Sequence, residues 1–245
     1  MSTTRTRAAS AAAIVIALVT LTFGTSSASA SASNGTTPDT SKVWVTHGLP
    51  LDDAGTVVDV YVDGALTVED FTFGQTVGPL TLPAATYDIE VKLANTDTVA
   101  IDQDVAVPAG GNFSVVASYT DAEGSIGLNV FANDLRRVPW LTGRLALHHA
   151  AAAPAVDVDL GLFPLSRALP WLKITPVKGA LNGQQAVQSA FSFLSYTADV
   201  RVAGTDTVVL SLDDVRLKDR SVTNVYVVGS ASAGTLQTVS SVITP

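Results

Sequence analysis

Three histidines, His47, His148 and His149, are the only imidazoles in the chain, and cysteine is absent. Base chemistry near neutral pH falls most often to histidine, and a nucleophilic serine or cysteine needs such a base beside it. The spacings that announce this chemistry are missing: there is no G-x-S-x-G elbow, no S-x-x-K and no H-E-x-x-H. Two polar groupings remain. His47 with Asp59, and His149 with Asp157 and Asp159, could bring one nitrogen and carboxylate oxygens together, because neighbouring strands lie about 4.8 Å apart. The competing reading puts each histidine at a strand end, bonded to an adjoining loop, and the alternating aspartates on a solvated strand face. D-x-D-x-D-G calcium loops are missing too. The expectation is no catalytic residue, no metal and no cofactor.

A second set of residues offers contact rather than reaction. Pro139-Trp140-Leu141 is echoed by Pro170-Trp171-Leu172, which sits in an apolar segment from Gly161 to Gly179 that also holds Phe163. Aromatic side chains on proline-stiffened backbone present a large apolar face at little entropic cost, which suits a protein or glycan partner. Trp140, Phe163, Trp171 and Leu172 are the candidate binding residues. The alternative, and the simpler reading, is that the segment folds over a domain junction, since exposed apolar patches are uncommon on monomers. Exposure of Trp140 and Trp171 decides between them.

The framework for these residues is written twice. Gly74-Gln75 recurs as Gly183-Gln184, Tyr87 as Tyr196, Val91 as Val200, and Thr96-Asp97-Thr98 as Thr205-Asp206-Thr207, each pair 109 residues apart. Val58-Asp59-Val60 matches Val156-Asp157-Val158 at 98 residues, so repeat two carries about 11 extra residues between Asp157 and Gly183. The repeated T-D-T is most simply a turn, because Thr and Asp side chains bond nearby backbone amides. Val58, Val60 and Val62 alternate with Asp59, Tyr61 and Asp63, and Asp63-Gly64 then signals a hairpin. Similar segments follow at 87–93, 99–107, 113–119 and 126–131, and in repeat two at 198–202, 208–212, 222–228 and 235–243. The fold expected is all-β: two tandem antiparallel β-sandwiches of about seven strands each.

Charge and termini bound the setting. Arg5 and Arg7 precede an apolar run from Ala11 to Phe23, and Ala28-Ser29-Ala30 and Ala30-Ser31-Ala32 fit a cleavage site. The expected layout is a signal peptide at 1–32, a flexible leader at 33–41, repeat one at 42–136, a linker at 137–142 and repeat two at 143–245. The formal charge of −8 becomes −10 on cleavage. Such an acidic product has no electrostatic reason to hold nucleic acid, and no membrane span is expected after cleavage.

Val45-Thr46-His47, Val58 to Gly64 (V-D-V-Y-V-D-G), Phe73-Gly74 and Leu82-Pro83-Ala84-Ala85-Thr86-Tyr87 together resemble a secreted bacterial domain family of unknown function. Its pattern runs from a strand ending in His, through V-D-V-Y-V-D-G, to L-P-A-G-T-Y. His148-His149 followed by Ala150 to Ala153, Pro154 and then Val156-Asp157-Val158 resembles its actinobacterial form. Repeat two departs from the pattern at Leu160-Gly161 and at Phe193 to Tyr196. The resemblance implies an Ig-like or transthyretin-like sandwich at the cell surface, often in tandem, and no reaction. The function expected is a secreted or cell-surface interaction module for a cell-wall polymer, a glycan or an exported protein. A structural envelope spacer is the alternative, and a hydrolase of unfamiliar type the third reading.

Overall fold

The computed structural model describes residues 40–50 and 57–245. The expected signal peptide and most of the leader lie outside the described residues. Sixteen strands are present among them, eight to a sandwich. The first sandwich contains β1 Thr40–His47, β2 Val58–Val62, β3 Ala65–Phe71, β4 Thr76–Pro83, β5 Ala85–Leu93, β6 Val99–Val107, β7 Asn112–Tyr119 and β8 Ile126–Ala132. The second contains β9 Thr142–His149, β10 Val156–Leu162, β11 Ile174–Ala180, β12 Gln185–Phe191, β13 Ser195–Val202, β14 Val208–Arg216, β15 Val222–Val228 and β16 Gln237–Ile243. Between β10 and β11 lie a short helix, α1 Leu165–Ala168, and a 3-10 turn at Pro170–Leu172.

The strand order is the same in both sandwiches. One sheet reads β4-β1-β7-β8 and its counterpart β12-β9-β15-β16; the other reads β3-β2-β5-β6 and its counterpart β11-β10-β13-β14. All pairs are antiparallel except β1 with β7 and β9 with β15, which run parallel. The alternation in the sequence sets the cores. Val58 and Val60, beside Tyr87, Val91, Ile101 and Val105 on one sheet, pack with Val43, Val115, Ala117 and Leu128 of the other in the first, and Val156, Val158 and Leu160 join Ala198, Val200, Val225 and Val227 in the second.

The eighth strand of each sandwich arises from edge strands that pattern alone does not announce. β3, β4, β11 and β12 are all edges. Pro79 and Pro83 lie in β4 and Pro176 in β11, and an edge tolerates them because one side of the strand needs no ladder bond. The Gly161 to Gly179 segment is therefore not wholly a loop: β10 runs on to Leu162, and β11 begins at Ile174. The remaining insertion replaces the tight Asp63-Gly64 hairpin of the first sandwich.

The two sandwiches meet sheet to sheet. Val116 and Phe131 pack with Ala150, Tyr226, Val228 and Val239 in one buried cluster. Asn224 Nδ2 donates to Asn133 Oδ1 at 3.0 Å, and Gln185 Nε2 to the Ala132 carbonyl at 3.1 Å. β15 is consequently buried on both faces, Val225 and Val227 turned into its own core and Asn224, Tyr226 and Val228 toward the other sandwich. The linker packs down as well, Leu135 and Val138 lying on Ala146 and Val222. This overturns the expectation that the 161–179 segment covers the junction: the sheet faces do so themselves, and Trp140 and Trp171 are 72% and 74% exposed.

Candidate functional site

His47 and His149 take the same place at the ends of β1 and β9. His47 Nδ1 accepts the Leu49 amide at 3.3 Å, and His149 Nδ1 accepts the Ala151 amide at 3.4 Å, while His149 Nε2 bonds the Pro154 carbonyl at 3.2 Å. Their backbones clasp the repeated Gly-Gln turns. Gly74 N donates to His47 O and Gly183 N to His149 O, at 2.9 and 2.8 Å, with both glycines at positive φ, 82° and 77°. The aspartates are committed elsewhere. Asp59 Oδ1 accepts the Asp70 amide at 2.9 Å; Asp157 accepts the Gly179 and Gly204 amides at 2.7 and 3.1 Å. Those two amides, Gly204 foremost, hold the Asp157 carboxyl below its ordinary pKa. His47 and Asp59 stand in different sheets, as do His149 and Asp157. No group of three or more His, Asp or Glu converges as a metal site among the described residues.

His148 is buried between Phe131 and Tyr226, at ring distances of 4.5 and 4.6 Å, with Nε2 3.3 Å from Asn224 Oδ1. Burial pushes it down to a pKa of about 4 against the opposing pull of Asn224, so it is neutral near neutral pH.

A polar constellation that pattern reading does not reach lies on the outer face of β13. Asp199, 2% exposed, takes Arg167 Nη1 at 2.9 Å, Ser211 Oγ at 2.7 Å and Lys173 Nζ. Burial acts to raise this carboxyl, and the bonds from Lys173, Ser211 and Arg167 outweigh it, leaving its pKa below the ordinary value. Arg167 also reaches Asp213 at 2.7 Å. Beside it Ser166 Oγ bonds Thr197 Oγ1 at 2.7 Å, and α1 sits so close to β10 that a Cβ on Gly161 would lie 2.4 Å from Ser166 Cβ. Arg201 and Thr175 share Asp159 at 2.7 and 2.6 Å. The insertion is thus fastened to the sheet by charged and hydroxyl groups rather than by its apolar residues. The alternation of Thr197, Asp199 and Arg201 with Ala198, Val200 and Val202 is the signal that marks this face.

The apolar residues of the insertion point outward. Trp171, Leu172, Leu165, Leu162 and Ile174 are exposed, and Phe163 is half-buried. Leu162, Leu172 and Ile174 border an open groove of about 220 Å³ at the seam between β11 and β12, with Leu160, Ala190, Tyr196 and Leu217 also in its walls. Exposed Phe191 and Phe193, rings 5.2 Å apart, stand at the end of β12. Strand pairing puts Trp140 at this same end. Thr142 pairs with Phe191, and Leu162 with Tyr196, so the linker, the insertion and the β12–β13 turn are neighbouring connections. Trp140, Phe163, Trp171 and Leu172 therefore belong to one end of the second sandwich.

Among solved structures, a candidate cell adhesion protein from Bacteroides uniformis is 13% identical, with 82% of this chain and 96% of that one covered and a TM-score of 0.24. A candidate adhesin from Bacteroides ovatus is also 13% identical, with 76% and 88% covered and a TM-score of 0.20. No curated protein sequence matches the chain. Residues 41–159, the first sandwich through to β10, match the family described as Domain of unknown function (DUF4397).

Proposed function

We propose that the protein is a non-catalytic interaction module, exported to the cell surface or beyond, that meets an envelope glycan or another exported protein through the loop end of its second sandwich. The observation that carries this reading is that Trp140 and Trp171 are open to solvent at one end of the second sandwich and take no part in the buried layer between the sandwiches. A spacer would gain by covering such surface, since each large side chain fully buried is worth about 1.5–3 kcal/mol. The insertion is also pinned rather than loose, so its apolar face is displayed without an ordering cost on contact. The histidines support the non-catalytic part: His148 is buried and neutral, while His47 and His149 serve strand-end turns.

The test is capture from envelope fractions by the processed chain and by Trp171→Ala and Ile174→Asp variants. Loss of captured material with both variants, circular dichroism unchanged, supports the reading. Equal recovery by all three proteins overturns it.

A further inference from the structure

On the other side of the linker, Trp140 forms the rim of a second feature. An open hollow of about 560 Å³ is lined by Arg137, Trp140, Lys218, Asp219 and Arg220, with the last residues of the chain beside them. Three cations thus meet two anions, Asp219 and the terminal carboxylate of Pro245, in a chain whose formal charge is −8. Most cations of the described residues are answered by a carboxylate, as Arg136 is by Asp134, Arg201 by Asp159 and Arg216 by Asp214. Arg137 and Lys218 make no hydrogen bond or ion pair among the described residues, and Arg220 reaches Asp219 only at 3.6 Å. Like charges gathered on one rim repel each other, and an anion between them removes that repulsion.

The walls of the hollow are braced. Arg220 in the wall, and Leu141 next to the lining residue Trp140, have φ of 50° and 60°, a region that side-chain-bearing residues enter at a cost. They are held there by Arg220 N donating to Thr142 O at 2.8 Å, and by Arg144 N donating to Ser221 O at 2.9 Å. Gly143 lets the walls approach, since a Cβ there would lie 2.6 Å from Leu217 Cβ and 2.8 Å from the Lys218 carbonyl. The cations and the indole are therefore carried on a fixed frame.

We infer that this hollow binds an anionic carbohydrate, one or two sugar units bearing carboxylate or phosphate, with a sugar face against Trp140 and the acid group between Arg137 and Lys218. The inference rests on the reading of the chain as an interaction module and adds a ligand class to it. An exposed indole offers a flat apolar face to the C–H side of a sugar ring, and the hollow is of a size that takes a small ligand. A nucleic acid strand fits less well, because its charges extend past the patch along a chain of formal charge −8.

The experiment titrates the processed chain with oligogalacturonate, phosphomannan, neutral maltohexaose and oligothymidylate. Binding of one or both acidic sugars, weakening as salt rises, supports the inference, and comparing them tells carboxylate from phosphate. Arg137→Gln and Lys218→Gln should each weaken that binding about tenfold, and Trp140→Ala should abolish it. Equal binding of maltohexaose, tighter binding of oligothymidylate, no acidic-sugar binding, or unaltered affinity in the Arg137 and Lys218 variants overturns it. Since the envelope-capture test runs through Trp171 and Ile174, a failure here leaves that reading to stand or fall on its own result.

Discussion

A residue repeated in both halves of the chain proves, in each case, to hold the same bond. Thr96 Oγ1 donates to the Leu93 carbonyl and Thr205 Oγ1 to the Val202 carbonyl, both at 2.9 Å, which is the turn expected of T-D-T. Gly74 and Gly183 recur because their backbone turns back to clasp a histidine at positive φ. Gly74→Ala meets no atom within 4 Å, so its cost is backbone strain alone. Urea denaturation should show a loss of about 1–2 kcal/mol. Asp199 is the opposite case: its counterpart at the repeat spacing is Glu90, paired with Lys92, but its own meaning lies in Arg167 and Lys173, distant in sequence. Asp199→Ala strands two partly buried cations and should cost about 2–3 kcal/mol, with faster proteolysis within 163–173 as the local sign. Repetition made the first kind of residue legible; nothing local could reveal the second, because its partners enter on an insertion with no counterpart.

Strands with a valine-rich buried face could be read directly, and β6 and β15 match their expected limits at 99–107 and 222–228. The strands at the opposite edges could not, since β4 and β11 carry proline and β12, reading Gln185 to Phe191, has little alternation to follow. The insertion shows how one element is seated. Gly161→Ala should force α1 away from β10, increasing cleavage around Arg167 while the sandwich keeps its strand signal in circular dichroism. Tyr87 and Tyr196 show how another is closed, each hydroxyl donating upstream, to Pro83 O and Phe191 O, both at 2.9 Å. These bonds tie a strand start to the preceding turn, the corner found in many sandwiches. Of the candidate site, the tryptophans were legible as apolar residues that are either displayed or buried at a junction, but their exposure and shared end emerge only from the structure, through the register of β9 with β12 and of β10 with β13.

For the whole molecule, the buried layer between the sandwiches decides stability. Its legible trace was the run Val222 to Val228, which carries valine or tyrosine on both faces and is interrupted only by Thr223 and Asn224; which surface covered it was not readable from either repeat alone. His148 makes this layer sensitive to acid. Its folded pKa of about 4 lies below the ordinary 6.5, so the unfolded chain takes up the proton first. The stabilisation is complete above about pH 6.5 and is lost as pH falls toward 4, by up to about 3 kcal/mol in all. His149, lowered by burial, acts in the same direction. Melting temperatures across that range should fall with acid, and His148→Gln should give a shallower slope; an unchanged slope would remove this assignment.

That layer also settles how load would travel. With Leu135 and Val138 bolted onto Ala146 and Val222, and Arg144 reaching back to the Arg136 carbonyl at 3.1 Å, the connection between the halves is a brace and not a hinge. On the proposed reading, tension applied at Trp171 would pass as shear across β7 and β15 instead of being absorbed by bending, and the protein would act as a strut.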